Sequence, residues 1–398
     1  MNKTLSIHKR NAVLNSMKEL VKEHAQTILD ANKIDMESYD DSDLAMSDRL
    51  KVNDAKIEGM VESLRQLSEL EDPVGVERFS FTHDNGMQIY NRTASFGTVM
   101  IIYESRPDVT IEAGGIAFKS GNKILLKGGK ESLNSNLAIV DLWHKALQVN
   151  DVSTEWVEYL NYNRTETQAF LENPTQTLDL IVPRGGERLI EFVKLNAKCP
   201  VIVSGRGNNF VYVHKHANAA MAVDIIVNAK TQKVSGCNAV DKVLIDNDLP
   251  NRAQFIQDLL VRLEAHNVEI LGDESLAEYK SVKQIESDDI WYKEFLDYKI
   301  VIGSIANTLE AIEMINKYSG GHSATIVTSA EGAAENFMAS VDCGAVYHNA
   351  STRFTDGFEF GLGGELAIST DKLHQRGPIG LQHLVTNKWY VHGTGQTR

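Results

Sequence analysis

The cysteine at position 237 is the residue of this sequence with the clearest chemical potential. It follows Ser235-Gly236 and precedes Asn238, in a polar loop after a predicted helix that ends near Lys230. Backbone N–H groups in such a loop can stabilise a thiolate and later an oxyanion. Most cysteines outside disulfides are nevertheless inert core residues. The local sequence therefore leaves a nucleophile and a structural thiol both open.

Two glycine turns after predicted strands could bind a nucleotide. Lys127 and Lys130 flank one glycine pair and could contact ribose hydroxyls or a phosphate. Gly185-Gly186 opens a predicted helix whose N-terminus could lie near a phosphate. Neither GxGxxG nor GxxxxGK[ST] occurs in the sequence. A dinucleotide site and two ordinary strand-to-helix turns therefore both remain open.

Two loops carry polar groups suited to an anionic substrate. Arg106 lies in YESRPD, and Ser351, Thr352 and Arg353 lie in NASTRFTDG. The planar guanidinium of arginine matches carboxylate and phosphate groups. Taken singly, either loop fits a surface turn equally well.

Helices and a hairpin open the chain. Apolar residues at helical spacing predict amphipathic helices over residues 7–32 and 44–70. Alternating polarity around Asn85-Gly86 predicts a β-hairpin within residues 77–95. The segment KWYVHGTG near the C-terminus predicts a short strand that pairs with this hairpin.

Strands alternate with helices through the rest of the chain, which predicts an α/β fold with doubly wound parallel sheets. The strands are predicted at residues 96–105, 122–129, 178–183, 200–205, 242–246, 268–272, 298–305, 324–330 and 345–351. The strand after Cys237 is expected to be amphipathic. Sheets of this kind bind ligands at the carboxyl ends of their strands.

Composition narrows the partners and the compartment. The 398 residues carry a net charge of −14, which disfavours nucleic acid and anionic membranes, since both require a basic face. No apolar run approaches ~20 residues, and the N-terminal residues lack the continuous apolar stretch expected of a secretory signal. The three cysteines are widely spaced, which argues against a disulfide framework and against a CxxC-type zinc site, and we expect no metal site. We expect a cytoplasmic protein in which Cys199 and Cys343 are inert thiols within apolar strands.

Taken together, these segments resemble the aldehyde dehydrogenase superfamily, and most closely its acyl-phosphate reductases. The resemblance covers nearly the whole chain and includes IIYESRPDVTIEAGGIAFKSGNKILLKGG, DLIVPRGGERLI, NAKTQKVSGCNAV and NASTRFTDGFEFGLGGELAISTDKLHQRGPIGLQHL. It implies an aldehyde dehydrogenase-like fold with a Rossmann-like cofactor domain, an α/β catalytic domain and a β-hairpin oligomerisation flap. The implied bounds are 1–230, completed by about 355–386, for the cofactor domain, 231–354 for the catalytic domain, and 77–95 with 387–398 for the flap.

The resemblance also implies roles for individual residues. Cys237 is the implied nucleophile, and the backbone N–H of Cys237 or Asn238 the implied oxyanion donor. The implied contacts with NADP(H) are Lys127 at the adenosine ribose, Gly185 and Gly186 at the pyrophosphate, and Glu294 at the nicotinamide ribose. The residues implied to hold the substrate's phosphate and α-carboxylate are Arg106, Ser351, Thr352 and Arg353. Which arginine holds which anion stays open.

One departure from the superfamily is informative. Its hydrolytic members carry a general-base glutamate where this sequence has Val203 and Ser204. Such a base activates the water that hydrolyses a thioester, whereas exchange of the thioester with phosphate needs none. The resemblance therefore implies reduction of L-glutamyl 5-phosphate by NADPH to L-glutamate 5-semialdehyde, in proline biosynthesis. It further implies a homodimer or homotetramer, with glutamate 5-kinase as a candidate partner.

Two alternatives remain open at this point. One is a hydrolytic semialdehyde dehydrogenase on the same fold, which would form glutamate without phosphate. The other is a catalytically inactive relative that binds nucleotide or assembles with a partner enzyme of the pathway.

Overall fold

The computed structural model describes residues 5–39 and 44–398. The chain forms two compact units. The first contains the chain up to Val203, Gly361–Ala367 and Ile379–Arg398, and the second contains Ser204–Phe360 and Ile368–Pro378. The boundary thus lies before residue 230, because residues 204–230 contribute a strand and a helix to the second unit. The assignment of cofactor and catalytic roles to two domains stays a prediction.

The first unit combines four N-terminal helices with a parallel sheet. Its elements are α1 (Ile7–Glu23), α2 (Ala25–Glu37), α3 (Leu44–Leu50), α4 (Asp54–Glu69), β1 (Glu77–Thr82), β2 (Gln88–Ser95), β3 (Thr98–Tyr103), α5 (Val109–Lys119), β4 (Lys123–Lys127), α6 (Leu133–Gln148), β5 (Val157–Tyr159), α7 (Arg164–Glu172), β6 (Leu180–Arg184) and α8 (Glu187–Asn196). Four strands pair in parallel in the order β5-β4-β3-β6. The central strand β3 is buried along its whole length, as expected for a strand covered on both faces.

Several predicted boundaries in this unit were wrong. The first predicted helix is two helices that meet at His24. The second is also divided, because the side chain of Asn53 accepts a hydrogen bond from Lys56 N and begins a new helix there. The predicted strand at 200–205 is reduced to two isolated bridges, Val201 with Ile181 and Ser204 with Ser369, since the chain leaves the first unit after Val203.

The second unit is built on a larger parallel sheet. Its elements are β7 (Asn209–Val213), α9 (Ala219–Thr231), β8 (Val240–Asp246), α10 (Arg252–Glu264), β9 (Glu269–Gly272), β10 (Val282–Gln284), β11 (Lys299–Ile305), α11 (Thr308–Tyr318), β12 (Ser323–Val327), α12 (Glu331–Ser340) and β13 (Ala345–His348). Seven strands pair in the order β10-β9-β11-β8-β7-β12-β13. Strand β8 is buried throughout, so the expectation of an amphipathic strand was wrong. The two sheets with their helices confirm the α/β class.

Three strands complete the chain: β14 (Ala367–Ser369), β15 (Gly377–Ile379) and β16 (Val385–His392). The strands β14 and β15 pair with each other. Strand β16 pairs antiparallel with β2, whose other edge pairs with β1. This confirms the predicted pairing of the C-terminal strand with the hairpin. The hairpin turn contains Gly86 at a φ of 88°, which glycine adopts without a Cβ clash. Within the described part of the chain, no helix is long and apolar enough to cross a membrane.

Candidate active site

Cys237 lies in the turn between α9 and β8, at residues 232–239, which we call the cysteine turn. Its side chain is exposed, whereas burial raises the pKa of the Cys199 and Cys343 thiols to about 11. Neither of those two cysteines lies within a strand, contrary to expectation, but both have the environment of an inert thiol. The cysteine turn precedes β8 and therefore lies at the amino edge of its sheet, not at the carboxyl edge.

The backbone of the cysteine turn is fixed from β7. The side-chain amide of Asn209, which is fully buried, donates to the carbonyls of Cys237 at 2.8 Å and Ala239 at 2.7 Å. A Cβ at Gly207 would collide with the carbonyl oxygen of Cys237. These contacts hold the carbonyls on both sides of Asn238 and so set the direction of its backbone N–H.

The loop after β13 supports the turn from its other side. The side-chain amide of Asn238 donates to the carbonyls of Arg353 at 3.2 Å and Thr355 at 2.9 Å. The hydroxyl of Thr352 donates to the carbonyl of Asn238 at 2.7 Å, and Ser351 Oγ accepts from the N–H of Arg353 at 3.3 Å. Both hydroxyl side chains are buried. They act here as supports of the turn, and their contact with substrate stays a prediction.

Arg353 brings a positive charge to the cysteine. Its Nε donates to Gln232 Oε1 at 2.9 Å, and a Cβ at Gly236 would lie 2.5 Å from its Nη1. Burial lowers the pKa of Arg353, while the negative charges of Cys237 and Asp356 act in the opposite direction. The guanidinium is thus within electrostatic range of the sulfur and favours its thiolate.

A buried network of hydrogen bonds is connected to the cysteine turn. His322 Nδ1 lies 2.8 Å from Ser323 Oγ, and Thr355 Oγ1 lies 2.7 Å from both Ser323 Oγ and the hydroxyl of Tyr347. Because the carbonyl of Thr355 accepts from Asn238, this chain continues to the cysteine turn. Burial lowers the pKa of His322 to about 4.

His322 should make the stability of the fold depend on pH. Its pKa is depressed from 6.5 to about 4 in the folded state, so the unfolded chain takes up the proton first as the pH falls. The contribution of the neutral His322 to the free energy of unfolding is fully present above pH 6.5. It is lost as the pH falls towards 4, by about 3 kcal/mol. We expect His322→Gln to remove this loss, measured as the free energy of unfolding by urea at several pH values. The exposed His266→Gln serves as the control, and identical pH profiles for His322→Gln and the unsubstituted protein would contradict the assignment.

Glu294 lies in the loop before β11, at residues 293–297, which we call the glutamate loop. Like Cys237, it belongs to the second unit. Leu296 in this loop has a φ of 52°, a backbone conformation that residues other than glycine rarely adopt. The loop is therefore held in a defined conformation by its surroundings.

In the first unit, Lys127, Gly185 and Gly186 lie at or just after the ends of strands that finish at the same edge of the sheet, as does Arg106. Lys127 ends β4, Arg184 ends β6, and Arg106 follows β3, which pairs with both strands. The turns after β3 and β4 are in contact, since a Cβ at Gly129 would lie 3.2 Å from Ser105 N. The chain order reverses between β3 and β6. This carboxyl edge is therefore a topological switch point, where doubly wound sheets bind ligands.

The start of α8 already receives an anion. The N–H of Gly186 donates to Glu104 Oε2 at 2.8 Å, and a Cβ at Gly185 would lie 2.6 Å from the carboxyl carbon of Glu104. Lys127 Nζ donates to the carbonyl of Gly128 at 2.6 Å, and burial lowers the pKa of this lysine. A helix N-terminus that binds a carboxylate, on the same sheet edge as a lysine, is of a kind that can hold the phosphates and ribose of a dinucleotide.

Three residues of this edge escaped the sequence analysis. Ser105 has a φ of 34° and a buried Oγ without a hydrogen-bond partner, and Glu104 caps α8. The pKa of Glu112 is raised to about 7, chiefly by burial and secondly by the charge of Asp108. The positive charge of Arg184 lowers it by a smaller amount. A glutamate within the otherwise apolar helix VTIEAGGIAF was the one available signal. The backbone strain at Ser105 leaves no signal in the sequence.

Comparisons with known proteins extend over nearly the whole chain. The model of the aldehyde dehydrogenase family matches residues 2–276 and 288–389. The γ-glutamyl phosphate reductase of Nautilia profundicola is 40% identical over 99% of this chain and 96% of its own length. That of Clostridium botulinum is 39% identical over 100% of this chain and 96% of its own. The crystal structure of γ-glutamyl phosphate reductase from Thermotoga maritima superimposes with a TM-score of 0.94 at 39% identity, covering 99% of this chain and 95% of that one.

Proposed function

Because the chain belongs to the aldehyde dehydrogenase family, we propose that it reduces L-glutamyl 5-phosphate to L-glutamate 5-semialdehyde and phosphate with NADPH, in proline biosynthesis. Relatives named γ-glutamyl phosphate reductase, which match over nearly their full length, support this substrate. The observation that carries the proposal is an exposed cysteine with a guanidinium in electrostatic range, in a turn held by buried asparagines. This arrangement suits attack on an acyl carbon that bears a phosphate.

In the first step, the thiolate of Cys237 attacks the acyl carbon of the substrate. A carbon–sulfur bond forms, and the bond to the phosphate oxygen breaks, with its electron pair leaving on phosphate. Arg353 binds that phosphate, because its guanidinium is near the attacking sulfur and the phosphate is bonded to the attacked carbon. Arg106 is then left for the α-carboxylate. The backbone N–H of Cys237 or Asn238 stabilises the oxyanion.

The thioester is then reduced. NADPH, when bound, supplies the hydride for the acyl carbon. Cys237 holds the acyl group until then, and its sulfur leaves as thiolate when the aldehyde carbonyl re-forms. The residues that hold the cofactor are Lys127, Gly185, Gly186 and Glu294. Members of this family use nicotinamide cofactors, and the positive charges of Lys127 and Lys130 favour NADPH over NADH.

Phosphate dependence of the reverse reaction tests this proposal. We expect reduction of NADP+ with glutamate 5-semialdehyde to require inorganic phosphate, because phosphate is the acceptor that releases the acyl group from Cys237. No carboxylate stands at Val203 or Ser204 to activate water instead. The measurement is the rate of NADPH formation over a range of phosphate concentrations, with sulfate at equal ionic strength as the control. A rate independent of phosphate, with glutamate as the product, would favour the hydrolytic alternative.

The sheet β1-β2-β16 is proposed to join subunits. The residue rows Phe79–Asn91–Trp389 and Phe81–Ile89–Val391 are in register, two residues apart, so their side chains share one face. Phe79, Phe81, Trp389 and Val391 are all exposed. An apolar face of this kind favours association, here as a homodimer or homotetramer. We also propose a cytoplasmic location and glutamate 5-kinase as a candidate partner.

A further inference from the structure

Strand β8 begins with an irregularity directly after the cysteine turn. Asn209 of β7 pairs with Val240, but the next residue, Phe210, pairs with Lys242. Asp241 is therefore an extra residue in β8, a β-bulge. Successive side chains of a regular strand point to opposite faces, and a bulge interrupts this alternation and redirects a side chain.

Asp241 and the residue after it, Lys242, both bind the glutamate loop. Lys242 Nζ donates to the carbonyl of Lys293 at 2.7 Å, and Asp241 Oδ2 accepts from the N–H of Phe295 at 2.8 Å. The two bonds lie on either side of Glu294. In addition, the ring of Phe295 lies with its centroid 4.1 Å from Lys242 Nζ. The backbone that carries Glu294 is thus held from two neighbouring positions of β8.

A third residue connects this arrangement to the cysteine turn. Lys230, in the last turn of α9, forms an ion pair with Asp241 at 2.7 Å, and the side chains are 0% and 3% exposed. Lys230 precedes the cysteine turn and Asp241 follows it. The ion pair therefore joins the two ends of the segment that presents Cys237.

Stability alone does not account for these buried charges. Burial lowers the pKa of Lys230, and that of Lys242 to about 7, while Asp241 acts on both in the opposite direction. The cost of removing charges from water often exceeds the attraction within a buried pair, and apolar replacements are frequently as stable. An arrangement that is costly to bury and that touches two functional loops points to a role in positioning.

We propose that Lys230, Asp241 and Lys242 form a clamp that holds the cysteine turn and the glutamate loop in one fixed arrangement. The clamp rests on the proposed function, since it acts through Cys237 and Glu294. Its three members are positioning residues: they set where the thioester and the carboxylate of Glu294 stand, and they contact neither substrate nor cofactor.

Lys242→Met tests the clamp, because methionine keeps the linear shape of the side chain and loses the bond to Lys293. We expect the KM for NADPH to rise about tenfold while kcat changes less than threefold, since a displaced Glu294 weakens cofactor binding. The dissociation constant of NADPH, measured by fluorescence without turnover, should rise to the same extent. Amide hydrogen exchange in residues 293–297 should become about tenfold faster, because the loop loses one of its anchors.

Lys299→Met is the matched control, because the ammonium of Lys299 also lies near the Phe295 ring, at 5.9 Å, but pairs with Glu269. It should change neither NADPH affinity nor exchange in the loop. The clamp is overturned if Lys242→Met leaves both unchanged, or if it lowers the melting temperature alone. If Lys242→Met speeds exchange in the glutamate loop but leaves NADPH affinity unchanged, the clamp has no role in cofactor binding. If Glu294→Gln also leaves NADPH affinity unchanged, the proposed role of Glu294 is overturned as well. The failure of the phosphate test is separate, since binding and exchange require no turnover.

Discussion

Replacing Cys237 with serine is expected to lower the rate of NADPH oxidation by at least about 10⁴-fold, as removal of a catalytic nucleophile does in other enzymes. A serine hydroxyl at this position stays protonated at neutral pH, and no adjacent base is proposed to activate it. An oxygen ester is also a poorer acyl carrier than a thioester, because the alkoxide leaves less readily than the thiolate. The measurement is the absorbance of NADPH with L-glutamyl 5-phosphate as substrate.

The same substitution should leave the cofactor site intact. We expect the dissociation constant of NADPH for Cys237→Ser to stay within about twofold of that of the unsubstituted protein, because a thiol-to-hydroxyl change removes no cofactor contact. Cys199→Ser is the control: the pKa of that partly buried thiol is raised to about 11, so it is not a nucleophile at neutral pH. Retention of more than about a tenth of the activity by Cys237→Ser would remove the cysteine from the mechanism.

Much of the fold was accessible from the sequence because its two larger sheets are parallel and their central strands are buried. Such strands appear as short apolar runs between helices, and the strand predicted at 298–305 contains β11 (Lys299–Ile305). Where local signals compete, the prediction failed. The segment at 200–205 has the apolar residues of a strand, but it forms only two isolated bridges, at Val201 and Ser204, where the chain passes into the second unit. Apolar character alone did not reveal that a partner strand was lacking.

The candidate site was predictable in its residue types but not in its supports. Glycine, lysine and arginine near strand ends indicated anion binding without any long-range information. The part played by Thr352 depends on a hydrogen bond to Asn238, a residue far away in the sequence. The bulge at Asp241 depends on its register with β7, which no periodicity within β8 encodes. Contacts of this kind follow from tertiary packing and become visible only in three dimensions.

Replacing Arg353 with glutamine is expected to lower kcat/KM for L-glutamyl 5-phosphate by about 10³-fold, since charged contacts to a leaving phosphate are worth several kcal/mol in a partly buried site. Two effects combine: the phosphate loses its guanidinium, and Cys237 loses the positive charge that favours its thiolate. The second effect can be measured separately, as a slower alkylation of Cys237 by iodoacetamide at pH 7. Glutamine retains a polar side chain, so the change in stability should stay within about 1 kcal/mol.

Arg353→Lys separates charge from shape. Lysine restores the positive charge but not the two parallel N–H donors, so we expect it to recover alkylation of Cys237 more fully than kcat/KM. The exposed Arg262, which pairs with Asp224 on the surface, provides the control Arg262→Gln, whose kinetics should match those of the unsubstituted protein. If Arg353→Gln changed kcat/KM by less than about threefold, the phosphate would have to be held elsewhere, with Arg106 as the remaining candidate. A normal alkylation rate with a large loss of kcat/KM would instead restrict Arg353 to binding the phosphate.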